Sequence, residues 1–121
     1  MGITVPAHTR AVKIPKNTPK GVLHIKNTLT DMKFDFVEEH RFQPPRRFKF
    51  DFAIPGLMIA IEYEGLMSEK NDHTSLLGYT SNCEKYNLAA IAGWHLLRYT
   101  VLNYQQVGDD LKKITNGKNS I

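Results

Sequence analysis

Cysteine is nearly absent from this sequence: among 121 residues, Cys83 stands alone. A disulfide framework and a zinc site of several thiolates are therefore excluded. A reducing, cytoplasmic setting is expected, with Cys83 as a small buried residue. Long apolar runs are missing too. The longest, Leu57 to Ile61, is far short of the ~20 residues a membrane-spanning helix needs, so no membrane partner is expected. The first residues mix Thr, Pro, His and Lys without an apolar stretch, so no secretory signal is expected. Charge of one sign is not in great excess. Lys plus Arg number 16 against 12 for Asp plus Glu, a formal +4 that is compatible with a polyanionic partner but does not demand one. What the chain does contain is 41% hydrophobic residues, enough for one modest core and one domain. Segments dense in Phe, Ile and Leu exclude disorder as its general state.

Residues 1–17 read as a basic arm, with Arg10, Lys13 and Lys16 among prolines and small residues. Thr18 followed by Pro19 reads as a helix start. Val22, Ile25, Leu29 and Met32 then form one helical face over about 19–33. The period then drops to two. Residues 34–42 and 48–54 alternate as strands around Pro44-Pro45, and Pro55-Gly56 marks a tight turn into a third strand, Leu57 to Glu64. Gly65 to Tyr79 has no period and is long for a plain connection, which suggests a functional loop. Ser81 and Glu84 form a capping box, so a second helix is expected from Ser81 to Gly93. HLLRYT (95–100) is a fourth strand, Tyr104 to Ile114 a last helix, and 115–121 a polar tail. The order α-βββ-α-β-α predicts a single α/β domain over 18–114.

Side chains directly opposite on paired strands share a face. If the first hairpin closes around Pro45, Glu39 faces Asp51 and Arg41 faces Lys49. If the second closes between Pro55 and Gly56, Asp51 faces Ala60 and Lys49 faces Glu62. Glu39, Asp51, Glu62 and Glu64 then crowd one face, while Phe34, Phe36, Phe42, Phe48, Phe50 and Phe52 wall a core on the other. Such carboxylates can simply be the solvated face of a sheet. The run Leu57–Ile61 is apolar on both faces, however, so the third strand should be covered on both sides, leaving its terminal carboxylates at a partly buried rim. Crowded carboxylates repel, and a divalent cation relieves that repulsion; oxygen ligands suit Mg²⁺ or Mn²⁺ better than zinc.

Asp51, ten intervening residues, and Glu62-Tyr63-Glu64, inside this order of elements, resemble the PD-(D/E)XK nuclease superfamily and its restriction-endonuclease-like fold, a central mixed sheet flanked by helices. RRFKFDFAIP (46–55), IAIEYEG (59–65) and HT…GYTSNCEKYNLAAIAGWHLLRYT (73–100) are similar to a group of small phage and prophage endonuclease-like proteins. The resemblance covers about residues 19–108. It implies a Mg²⁺- or Mn²⁺-dependent endonuclease that hydrolyses DNA phosphodiesters, with ordinary, branched or mismatched duplexes as substrates, in a bacterial or phage-infected cell. It places the metal on Asp51, Glu62 and the main-chain carbonyl of Tyr63. The superfamily lysine is Glu64 here, and some members carry that lysine on the following helix, where Lys85 is the candidate. Glu64 is then a further ligand or a water-orienting base, and Glu39 can replace an acid that other members place in the first helix.

Arg46, Arg47 and Lys49 form a basic cluster that can grip a duplex backbone or merely solubilise the hairpin. His73 can serve as a general acid or contact phosphate, or be merely an exposed loop residue; Tyr79 can contact phosphate, or only position the helix start. Trp94 reads as core, and Arg98 as structural or as reaching the acidic site. The same fold could instead serve as a catalytically inactive nucleic-acid-binding module, or as an interaction protein whose acidic face is only solvated. A homodimer making paired cuts is compatible with the small size of the domain.

Overall fold

The computed structural model describes residues 18–65 and 75–119. The expected basic arm and His73 lie outside the described residues. Three helices, α1 (Lys20–Asp31), α2 (Leu76–Ile91) and α3 (Val107–Asn119), pack on four strands, β1 (Val37–Arg41), β2 (Lys49–Ile54), β3 (Ile59–Gly65) and β4 (His95–Thr100). The sheet is mixed, in the order β1-β2-β3-β4. The first three strands are antiparallel neighbours, and α2 carries the chain over to β4, which runs parallel to β3. This is the α/β architecture that the element order predicts. No helix among the described residues is long and apolar enough to cross a membrane.

Both faces of the sheet are covered. Ile25 and Leu29 of α1, with Val107 and Leu111 of α3, bury Phe36, Phe52, Ile54, Ile59 and Ile61 on one face. Ala89 of α2 and Trp94 close over Phe50, Ala53 and Ala60 on the other. Ile59, Ala60 and Ile61 are fully buried, as the two-sided apolar run predicts. Gly21 lets α1 approach the sheet, because a Cβ at that position would land in the ring of Tyr63.

Several expectations are corrected, each for a local reason. Phe34, Phe36, Phe42, Phe48, Phe50 and Phe52 do not line one wall. Phe36 and Phe52 face α1, whereas Phe42 and Phe50 stack with centroids 4.1 Å apart on the α2 side. The strands change face at Glu39, which sits between the pairs Glu38↔Phe52 and His40↔Phe50 with φ 52°. A left-handed residue breaks the two-residue period along β1, while the β1–β2 register stays as expected, with Arg41 opposite Lys49. The second hairpin is wider than a two-residue turn: Pro55–Leu57 forms one 3₁₀ turn and Met58 follows with φ 55°. The register is therefore Phe52↔Ile61 and Ala53↔Ala60, two residues away from the expected Asp51–Ala60 pairing.

The helix boundaries also move. Pro19, not Thr18, caps α1. Helix α2 starts six residues before the expected Ser81, where the Ser75 hydroxyl accepts from Gly78 N at 2.9 Å. Ser81, Glu84 and Tyr79 are thus helical interior positions, and the capping box is not used. Gly93, at φ 94°, ends the helix as expected, and Trp94 N then donates to Ala89 O. The expected polar tail is helical as far as Asn119. Cys83 is exposed rather than buried.

Candidate active site

The wide second hairpin puts Asp51 level with Glu62. Beyond Phe52↔Ile61, the β2–β3 ladder gives way to bonds made by the two carboxylates. Asp51 N donates to Glu62 Oε2 at 2.8 Å, and Tyr63 N donates to Asp51 Oδ2 at 2.8 Å. Each acid is fixed by a main-chain amide, so neither carboxylate position depends on a flexible partner. Glu62 follows Ala60 on the α2 face of β3, and the third turn of α2 covers it. There Lys85 Nζ donates to Glu62 Oε1 at 2.6 Å, and both side chains are nearly buried, 12% and 10% exposed. Lys85 is the tenth residue of α2, not part of its first turn. The N-terminal amides of the helix therefore do not reinforce it. It is burial against Glu62 that holds its ammonium.

The electrostatics follow from this burial. The Asp51 carboxyl is raised above the usual range by desolvation, with the Tyr63 amide and Lys85 opposing the rise. Glu62 is raised by desolvation and by the neighbouring Asp51, again against Lys85. Two acids share one ammonium, so the ionised site carries a net negative charge that it holds at a cost.

Glu64 lies on the same face, two residues further along β3. Its Oε2 accepts from Tyr86 Oη at 3.0 Å and from Arg98 Nε at 2.9 Å. Burial and the negative charge of Glu64 push the Tyr86 hydroxyl well above its ordinary value, so it is a hydrogen-bond donor and not a base. Arg98 is opposite Glu62 in the parallel β3–β4 register, which is what brings it to the acidic end. Sequence reasoning left Arg98 open and missed Tyr86; the adjacency of Tyr86 to Lys85 was the available signal.

Glu39 does not join the pair. Its exposed carboxylate is ion-paired with Lys49, although it stands opposite Asp51 and its charge helps raise the Asp51 carboxyl. Arg46 makes a bidentate bond to Glu84 of α2, at 2.8 and 2.9 Å. Arg41, Arg47 and Lys49 line a separate groove on the β1–β2 hairpin together with Pro45. Tyr79 is 60% exposed, one turn from the start of α2.

The fit of a divalent cation can be judged from the donors. Among the described residues, no group of three or more His, Cys, Asp or Glu side chains is arranged to hold a metal. Two adjacent carboxylates fit a cation that keeps most of its water. Mg²⁺ is commonly held by one or two carboxylates plus substrate phosphate oxygens. An all-oxygen donor set suits Mg²⁺ or Mn²⁺ better than zinc.

No protein-family model matches the sequence, and no curated protein matches it. Among solved structures, the chain is similar to one titled "Homing Endonuclease I-Bth0305I Catalytic Domain". The TM-score is 0.53 at 16% identity, over 84% of this chain and 92% of that one. At that identity the likeness is one of fold, and the chain folds as that catalytic domain does.

Proposed function

We propose that this protein is a Mg²⁺- or Mn²⁺-dependent endonuclease that hydrolyses phosphodiester bonds in DNA. The observation that carries the reading is the Asp51–Glu62–Lys85 arrangement: two amide-fixed acids side by side at the strand ends, with one buried ammonium on Glu62. The resemblance of 19–108 to PD-(D/E)XK nucleases and the shared fold with a homing endonuclease catalytic domain support it. Asp51 and Glu62, with the carbonyl of Tyr63, would hold the cation; when bound, it supplies Lewis-acid polarisation and a more acidic water. Lys85 lies where negative charge on phosphorus would build up, and its ammonium stabilises that charge. Glu64 is held by Tyr86 and Arg98 through Oε2, and its other oxygen, which makes no hydrogen bond among the described residues, would orient water. Arg47 and Lys49 on the hairpin contact the DNA backbone, and Tyr79 on α2 also contacts the DNA. His73 is a further candidate for a phosphate contact or a general acid.

The experiment is incubation with plasmid, single-stranded, mismatched and four-way-junction DNA in Mg²⁺, Mn²⁺ or EDTA. Cleavage in the two metals and none in EDTA is expected. Asp51→Asn and Glu62→Gln should each lower the rate by about 10²-fold or more. Undiminished cleavage by either folded variant would remove the site. A chain that binds DNA but never cuts it in either metal would instead be a non-catalytic binding module.

A further inference from the structure

Beside the acid pair lies a second recess, between the first half of α2 and the end of β4. It has a volume of about 260 Å³ and is lined by Glu64, Tyr79, Cys83, Tyr86 and Arg98, among others. Glu64 is two residues from Glu62 on the same strand face, roughly 7 Å along the strand, so the recess adjoins the place where the cut phosphodiester would lie.

Its chemistry differs from that of the hairpin groove. The groove, about 440 Å³, carries Arg41, Arg47 and Lys49 and suits a backbone phosphate. In the recess the charge of Arg98 is answered by Glu64 at 2.9 Å, and the guanidinium lies 4.2 Å over the Tyr86 ring. The walls are therefore aromatic and close to neutral. Among the described residues, Arg98 commits only Nε to a hydrogen bond, leaving its forked terminal nitrogens for a further acceptor. A flat, uncharged ring with acceptors on its edge fits such walls better than a phosphate does.

The rim points the same way. Leu76 and Leu77 are 81% and 84% exposed in the first turn of α2, and Leu102, just after β4, is 89% exposed. Helix α2 joins β3 to the parallel β4, so its first turn and the end of β4 share the catalytic end of the sheet. Apolar side chains at such a rim suit the faces of bases better than charged backbone.

We propose that this recess takes one unstacked nucleobase from the strand being cut, next to the phosphodiester at Asp51 and Glu62. The preferred substrate is then DNA with an unpaired nucleotide at the cut. The proposal rests on the nuclease reading for its polymer.

Cys83 lines the recess, is exposed and is the protein's sole thiol, so it reports occupancy without any cleavage. The full chain is alkylated with iodoacetamide in EDTA at low salt, free or saturated with one of three ligands. These are a short single-stranded oligonucleotide, an abasic oligomer of the same length and a perfect duplex, with saturation shown by fluorescence anisotropy. The single strand should slow alkylation of Cys83 by about 10-fold or more, the scale of a stacked base. The abasic oligomer and the duplex should slow it far less. Tyr79→Ala, an exposed change, should reduce the protection by the single strand to the abasic level. Equal protection by all three ligands, or binding that leaves Cys83 as reactive as in the free protein, overturns the proposal and leaves the nuclease reading standing. Failure of every ligand to bind overturns both.

Discussion

Glu84 and Lys85 are successive residues of α2, each paired with a residue of the opposite charge across on the sheet side, and the two pairs are opposites in kind. Glu84 meets Arg46 in the open, with 50% and 45% of the side chains exposed. Lys85 meets Glu62 where about a tenth of each is exposed. The open pair has good bidentate geometry, yet water and salt screen it. Arg46 holds the Glu84 carboxyl below its ordinary value by a hydrogen bond, so Glu84 is content as an anion. Asp51 and Glu62 are held above theirs, chiefly by burial. One helical step thus separates a pair that relaxes its charges from a cluster that keeps them unrelieved. Unrelieved negative charge of this kind would draw a divalent cation, and a cation held there would in turn draw a phosphate.

The largest test of this contrast is kinetic. Lys85→Ala should lower the cleavage rate by ~100-fold or more, the loss of one charge contact in the transition state. Glu84→Ala should stay within a few-fold of the wild type. Metal titration of the Lys85 variant should show no weaker binding, since Lys85 is not a ligand. A normal rate for Lys85→Ala would erase the distinction between the two pairs.

A structural test comes next. Tyr63 N holds Asp51, and the Tyr63 ring occupies the space above Gly21. Gly21→Ala must displace that ring, at a cost of ~1–3 kcal/mol in stability measured by urea unfolding, the usual range for overpacking. Cleavage should fall with it if the Tyr63 amide positions Asp51. Full stability would show that α1 can shift without disturbing the acid pair.

The two regions should also respond to pH with opposite signs. A carboxyl raised on folding binds more protons in the native state than in the unfolded one. Its contribution to stability therefore falls as pH rises from the unfolded value through the folded one. Asp51→Asn keeps an acceptor for Tyr63 N and removes the charge. It should raise Tm at pH 7 and leave it nearly unchanged in acid, where Asp51 is protonated in both states. Mg²⁺ should raise the Tm of the wild type more than that of this variant. Glu84, lowered on folding, contributes above its unfolded value and loses that contribution as pH falls through the folded one. An Asp51→Asn variant that melts earlier at pH 7 would mean that the acid pair is not under electrostatic load.

The smallest effect concerns the hairpin. Arg46 is engaged with Glu84, whereas Arg47 is exposed and has no ion pair among the described residues. Arg47→Ala should reduce the salt slope of DNA binding by about 1, and Arg46→Ala by less. Equal slopes would show that DNA takes Arg46 from Glu84.

Local periodicity and composition determined much of this molecule without any structure. The order of the elements, the bounds of β4, the two-sided burial of Ile59–Ile61 and the helical stop at Gly93 depend on side-chain spacing and on the one residue tolerant of positive φ, and these act within a few residues. The presence of Asp51 and Glu62 on adjacent antiparallel strands was legible for the same reason. The tertiary structure alone decided their alignment. Left-handed backbone, which a side chain ordinarily disfavours, changed the face of β1 at Glu39 and left its register with β2 as expected, while at Met58 it widened the second hairpin, whose register moved by two residues. That brought Asp51 beside Glu62 instead of Ala60. Ser75, and not the better-looking capping box at Ser81, started α2, and the position of Lys85 changed from a helix end to a buried turn above the acids. Spacing along a chain cannot report such choices, because hairpin width and helix start are settled by what the whole sheet and its covering helices can bury.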